Sequence, residues 1–362
     1  MKLLNLIIGA IALVSSTTAA PATFSKDRCG PGYGHCDGND CCSKYNWCGT
    51  SNEHCLISNG CQSEFGACRG SNSNSSNKVS QPSTSTQYIN QNNSKVRWAG
   101  YRYSPYGPSD SLSRDPTPSE WMQYVKKFKS HFDKNTQGAV LLIVGQEHKE
   151  RYCEFQFPKP SSISSYSNNI QFIKKDKYES FLSACDQNNI NVWLQVEPGS
   201  NDLVELAKIT LDRYKHHSSV KGFGIDLEWW YRVNSSDGKR ISDNEAKRVV
   251  NAVRAYNSNY TVFVKHWETE FMPSSYRDHL IFVDDSQDFH GNASKMTKEF
   301  AKWAKTFSGS PVMFQVGYKA DKNIWGNNPI KIAQDVANAA TQYNNQVGIF
   351  WVDFTMKYAI NK

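Results

Sequence analysis

Eight of the ten cysteines in this 362-residue chain fall between Cys29 and Cys68. No other feature limits the possible folds as tightly. Residues 27–69 hold few Leu, Ile or Val and many Gly, Asn and Ser. A segment so short and polar cannot bury enough apolar area to fold by itself. Cross-links must supply the missing constraint, and eight cysteines permit many pairings. Zinc is the other use for clustered cysteines. The adjacent Cys41 and Cys42 weigh against it, as does the N-terminus.

That N-terminus has the layout of a secretory signal peptide. Lys2 is basic, residues 3–14 are apolar, and small residues follow, so residues 1–22 read as a removable leader. A buried first helix is the alternative. Asn-x-Ser/Thr sites at Asn74, Asn92, Asn234, Asn259 and Asn292 suit a secreted glycoprotein. The chain has 41 Lys and Arg against 34 Asp and Glu, but no run of five basic residues, so nucleic acid is not an expected partner. No second long apolar stretch exists to hold the mature chain in a membrane.

Within the cysteine-rich segment the order is specific. Cys29-Gly30-Pro31-Gly32 is followed by Cys41-Cys42-Ser43, Tyr45, Trp47-Cys48-Gly49, Cys55 and Gly60-Cys61-Gln62-Ser63. This run resembles the hevein-type (type 1) chitin-binding module over its whole length. The resemblance implies the pairs Cys29–Cys42, Cys36–Cys48, Cys41–Cys55 and Cys61–Cys68. It also implies that Ser43, Tyr45, Trp47 and His54 bind carbohydrate, though His54 stands where the family most often has Tyr. The chemistry agrees, since sugar rings stack their C–H faces on aromatic side chains. The plainer use of Tyr45 and Trp47 is a mini-core. Residues 70–95 are rich in Ser, Asn, Thr and Gln, the composition of a flexible linker.

Residues 96–362 repeat a different pattern. Eight short apolar runs, at 96–103, 139–147, 190–197, 220–230, 261–268, 280–287, 311–319 and 347–355, alternate with amphipathic stretches. Thr117-Pro118-Ser119-Glu120 and Ser242-Asp243-Asn244-Glu245 are capping boxes, and Asn328-Pro329 opens a further helix. The alternation predicts an α/β fold, a (β/α)8 TIM-like barrel. A doubly wound open sheet is the rival, but it wants a Gly-rich phosphate turn, which is missing.

A barrel of this kind carries its active site at the C-terminal ends of its strands. Those ends are rich in polar groups: Glu197, Asp226, Glu228, Lys265, Asp285, Gln315, Tyr318, Trp351 and Asp353. On the fourth strand, alternation puts Asp226 and Glu228 on the inward face with Gly222 and Gly224. Neighbouring carboxylates do not both ionise cheaply, so one can serve as a general acid for glycosidic cleavage. The structural alternative is an acid pair neutralised by Lys265 or Arg102. The strand resembles that of retaining chitinase-type glycosidases, whose motif is D-x-x-D-x-D-x-E. The last Asp falls on Asp226 and the acid on Glu228, while Lys221 and Gly224 replace the earlier acids. The family's S-x-G-G and M-x-Y-D patterns are missing. Trp351 could match the family's sugar-floor Trp. Barrel muramidases also use Asp-x-Glu.

The resemblances imply a secreted chitin-binding protein whose barrel hydrolyses a polymer containing N-acetylglucosamine. Glu228 is the expected acid and Asp226 its helper. A non-catalytic lectin is the alternative, as is a muramidase or other barrel glycosidase. No cofactor and no metal are expected, since no H-x-H or H-x-x-x-H pattern appears. His266 reads as a substrate contact or a core hydrogen bonder. Cys153 and Cys185 are expected to pair across the long second βα connection.

Overall fold

The computed structural model describes residues 28–30, 35–36, 40–69 and 96–361. The leader at 1–22 and the linker at 70–95 lie outside the described residues. The chain divides into two compact units, Met1–Gln87 and Tyr88–Lys362.

In the first unit the strands Cys41–Cys42 and Cys48–Gly49 pair antiparallel. One helical turn, Asn52–Cys55, and a 3-10 turn, Ile57–Asn59, follow. Four disulfides join Cys29 to Cys42, Cys36 to Cys48, Cys41 to Cys55 and Cys61 to Cys68. These are the pairs that the hevein-type resemblance implies. The core of the unit is sulfur: Cys41, Cys55 and Cys61, with Cys68 packed against them. So small a core cannot hold the unit together without its cross-links.

The second unit is a closed barrel of eight parallel strands. They are β1 (Val96–Tyr103), β2 (Gln137–His148), β3 (Asn191–Val196), β4 (Val220–Asp226), β5 (Thr261–Lys265), β6 (Leu280–Asp284), β7 (Val312–Val316) and β8 (Val347–Val352). Each strand pairs with the next, and β8 closes on β1. Six longer helices pack outside: α1 (Pro118–Lys129), α2 (Glu179–Asn188), α3 (Leu203–Tyr214), α4 (Asp243–Arg254), α5 (Ala293–Thr306) and α6 (Pro329–Ala340). The capping boxes expected at Thr117 and Ser242 both form, and the Asn328 side chain caps α6.

Alternation along the strands separates two cores. Phe223, Ile225 and Leu227 face the helices. Trp98, Ala139, Leu141, Trp193, Phe263, Ile281, Val283, Met313 and Phe350 fill the barrel interior. Trp98 and Trp193 meet edge to face with ring centres 5.2 Å apart. Above this apolar plug the inward positions turn polar, with Gln195, Asp226, Lys265 and Gln315 all buried.

Three features differ from the sequence reading. First, six of the strands, β3 to β8, end earlier than the apolar runs. At four of them a 3-10 turn takes over: Leu227–Trp229, Thr269–Phe271, Lys319–Asp321 and Asp353–Thr355. Glu228 therefore sits just past β4. Second, the connection from β5 to β6 has no α-helix, only the turn Thr269–Phe271. That segment carries Pro273-Ser274-Ser275 and lacks a helical apolar period. Third, Cys153 and Cys185 are both free and buried. Cys153 lies in the side strand Tyr152–Phe155, against Gly145 near the end of β2. Cys185 lies in α2, and Ile190, two residues past the end of that helix, packs on Gly138 at the start of β2. Seven strand residues separate these positions, about 20 Å, well beyond disulfide reach.

Candidate active site

Three of the expected residues converge on one atom of a fourth. Lys265 ends β5, and its Nζ donates to Glu228 Oε1 at 2.9 Å. The same Nζ lies 3.0 Å from Asp226 Oδ2, at the end of β4, and donates to Asp285 Oδ2, just beyond β6. Side-chain exposure ranks the acids. Asp226 and Asp285 are 2% and 3% exposed, whereas Glu228 is 21% exposed and so is the one open to the mouth. Gln195 donates from Nε2 to Asp226 Oδ2 at 3.0 Å. The other oxygens of Asp226 and Asp285 are buried without a partner. Trp229 donates its indole N–H to Glu228 Oε1 at 2.8 Å.

The remaining mouth residues form three smaller groups. Arg102 donates to Asp353 Oδ1 at 2.8 Å, and the Ser104 N–H and hydroxyl donate to Oδ2 at 2.5 and 2.7 Å. Asp353 is pressed against Gly107, where a Cβ would lie within 2.3 Å of the carboxylate, so this position needs glycine. Glu197 follows β3, and its Oε2 accepts the Glu147 N–H at 2.9 Å. Tyr318 donates to Gln315 Oε1 at 2.7 Å.

Burial and charge set the protons. One buried ammonium cannot neutralise three carboxylates, and a dry site does not tolerate the excess. Burial pushes Asp226 well above the ordinary carboxylate range against the pull of Lys265. Burial raises Asp285 in the same way. Burial would also raise Glu228, but the Lys265 charge and the hydrogen bonds from Lys265 and Trp229 bring it below its usual value. Burial would lower Lys265, and the three carboxylates more than reverse that. Within the cluster, Glu228 is thus the acid that Lys265 favours in its charged form, while burial favours the protonated form of Asp226 and Asp285. Glu197, desolvated beside the mouth, is pushed up to about 7.

Several expectations need correction. Trp351 is not at the mouth. Alternation on β8 points Phe350 inward and Trp351 outward, where it packs edge to face on Trp325 at 5.4 Å and Phe128 at 6.5 Å. Burial raises Asp226 while Lys265 lowers Glu228, the opposite order to that expected of a protonated Glu228. His266 is a core hydrogen bonder: Nδ1 accepts the Glu268 N–H, Nε2 donates to Asp237 O, and the ring stacks on Phe271 at 3.7 Å. Burial lowers its pKa to about 4, which keeps it neutral. Trp229, Ser104 and Gly107 have no signal of their own in the sequence; adjacency to Glu228 could have pointed to Trp229.

In the small unit, Tyr45 is 70% and Trp47 46% exposed, so neither forms a mini-core. The Arg28 guanidinium lies 4.2 Å from the Trp47 ring centre. Ser43 is buried, and its hydroxyl accepts the Trp47 N–H at 3.2 Å, fixing the turn that presents the two rings. His54 shares a 2.9 Å hydrogen bond with the Ser51 hydroxyl.

None of the known protein-family models matches the chain. It is 49% identical over 35 residues to pseudo-hevein of Hevea brasiliensis, covering 10% of this chain and 71% of that protein. It is 44% identical over 43 residues to a chitin deacetylase of Pestalotiopsis sp, 12% of this chain and 14% of that protein. Against morintide mO1 of Moringa oleifera it is 43% identical over 51 residues, 14% of this chain and 61% of the relative. The chain thus spans less than two thirds of the deacetylase and the morintide. Among solved structures it is similar to an endo-1,4-β-mannanase from Eisenia fetida, at TM-score 0.42 and 10% identity, covering 74% of this chain and 90% of the other. A β-1,4-D-mannanase from Cryptopygus antarcticus gives TM-score 0.41 and 12% identity over 74% and 91%. Among the described residues, no helix is long and apolar enough to cross a membrane.

Proposed function

The chain belongs, through its N-terminal module, to the hevein-like proteins, and we propose that it is a secreted carbohydrate-active protein whose barrel hydrolyses a polymer containing N-acetylglucosamine. The module holds the chain on chitin or a similar polymer through Tyr45 and Trp47. The names of the relatives, pseudo-hevein and a chitin deacetylase, support this choice of polymer. The observation that carries the catalytic reading is the convergence of Asp226, Glu228 and Asp285 on Lys265 at the barrel mouth.

Glycosidic cleavage needs one carboxylate charged and another protonated, with environments that push their pKa values apart. Glu228 is the charged member: Lys265 holds its proton off, and it faces the mouth. Glu197 is the acid that protonates the leaving oxygen, since desolvation keeps much of it protonated up to about pH 7. Asp226 retains its proton behind Glu228 and orients it. Lys265 steadies the negative charge that Glu228 must carry at rest.

The test is turnover on chitin, peptidoglycan and β-glucan by wild type, Glu228→Gln and Glu197→Gln. Glu228→Gln should lose about 100-fold to 10,000-fold in kcat while polymer binding is kept. Glu197→Gln should be slow on the polymer and recover on aryl glycosides, whose leaving groups need no proton. Wild-type turnover should fall as pH rises through about 7, where Glu197 loses its proton. Wild-type rates in Glu228→Gln would overturn the site. A second reading, a non-catalytic lectin, is favoured by one fact: Lys265 already satisfies the acid pair as a structural network would. Absence of products from all three polymers would establish it.

A further inference from the structure

We propose that Glu179, His216 and His217 form a binding site for a divalent transition-metal ion, zinc foremost, on the outer face of the barrel. Glu179 opens α2, and the two histidines follow α3 just ahead of β4. Glu179 Oε1 lies 3.0 Å from His216 Nε2 and 3.3 Å from His217 Nε2. The three atoms all fall within 4.8 Å of one another. Zinc bonds of about 2.0–2.2 Å in tetrahedral geometry place ligand atoms about 3.3 Å apart, which the two separations from Glu179 match.

The decisive atom is His217 Nε2. The His217 side chain is only 3% exposed, yet this nitrogen has no hydrogen-bond partner. It is near Glu179 Oε1 but not aligned with it. Hydrogen-bonding groups point at each other, whereas metal ligands point at a shared centre. A buried nitrogen left unpartnered is costly, and a cation between the three atoms would remove that cost.

The surroundings have the form that holds metal ligands in place. His217 Nδ1 bonds Asp186 Oδ2 at 2.7 Å, which fixes the ring and leaves Nε2 as the ligand. Asp186 is itself held by the Ser219 N–H at 2.7 Å. Arg213 donates to Glu179 Oε2 at 2.9 Å and to Asp176 Oδ2 at 2.7 Å, so Oε1 faces the two histidines, where it is hydrogen-bonded to His216 Nε2 at 3.0 Å and a cation would take the place of that bond. His216 is 53% exposed and leaves an open side where water completes the shell. An ordinary ion-pair network accounts for Arg213 and Asp176. It accounts for His216 too, whose Nε2 hydrogen-bonds Glu179 Oε1, but it leaves the buried His217 Nε2 unsatisfied. The sequence reading passed over this pair because it sought histidines separated by other residues.

The test uses the full oxidised chain, stripped with a chelator and titrated with zinc chloride at pH 7.5 against a chromogenic chelator. One equivalent should bind at micromolar or lower concentration and raise Tm. Glu179→Gln and His216→Ala should each weaken this binding by about tenfold or more and abolish the rise in Tm. His216 is exposed, so its variant should keep the zinc-free Tm. That unchanged value separates a lost ligand from a damaged fold. His54→Ala, in the small module, should bind like wild type. Failure of wild type to bind zinc at 100-fold higher concentration would overturn the site, as would undiminished binding in both Glu179→Gln and His216→Ala.

Discussion

Replacing Lys265 by Met tests the electrostatic account of the barrel mouth. The substitution keeps most of the side-chain volume and removes the ammonium from three carboxylates. Removing one partner of a buried ion pair costs about 3–5 kcal/mol. For a domain of this size that is a fall in Tm of roughly 6–20 °C. The loss must depend on pH, with a sign fixed by the proton affinities. Burial raises Asp226 and Asp285, so the folded chain holds these protons more tightly than the unfolded chain does. Each therefore destabilises the fold as pH climbs from the unfolded value of about 4 toward its folded one. Lys265 opposes that rise. Its own pKa is raised, so it stays charged throughout the range below the unfolded lysine value of about 10.5, and the pH dependence of what it contributes is set by the acids it faces. Without it, the acids rise further and Glu228 joins them. The penalty should be small near pH 4 and complete at neutral pH. Thermal unfolding of Lys265→Met and wild type from pH 4 to 8, followed by circular dichroism, measures this. A deficit in Tm that is the same at both ends of the range would refute the reasoning, as would no deficit.

Two further outcomes follow from exposure. Trp47→Ala should remove most binding of the chain to chitin beads, because Trp47 is the larger of the two exposed rings on its turn and Tyr45 alone leaves a single stacking face; retention at wild-type level would exclude this face. A thiol reagent should find nothing reactive in the native chain and two thiols after denaturation without reductant. Burial encloses Cys153 and Cys185 and raises both thiols well above their usual pKa. A count of zero after denaturation would mean that the two are bonded.

The sequence made the barrel readable because its signal is local and repeated. Each strand is a short apolar run, and helix starts such as Thr117 and Ser242 are written in four residues. Asp226, Glu228, Lys265 and Asp285 were visible as polar ends of those runs. Their shared contact was not, since meeting at one Nζ depends on barrel closure and on the register of β4, β5 and β6. Trp351 was misread by a single step of alternation, because β8 is apolar on both faces and its pattern does not announce which side is which. The cysteine pair failed for a similar reason. An exporting chain makes pairing plausible, but sequence distance says nothing about which end of a barrel a residue occupies. The outward site at Glu179, His216 and His217 depends on packing between α2 and the end of α3, which neither segment shows by itself.

The missing helix between β5 and β6 has a consequence for motion. Elsewhere the strands are buttressed by helices with their own hydrogen-bonded ladders. Here the outer cover is loop, with Phe271 and Met272 in the apolar layer and Arg277 over Phe282. Opening this sector breaks fewer cooperative contacts than opening any helix-backed one, so it lies at the low-energy end of the barrel's local unfolding. Lys265 and Asp285 stand on the two strands that bound it. The cation that organises the mouth is therefore anchored beside the connection that lacks a helix, and a substrate that tightens on Lys265 would brace that sector.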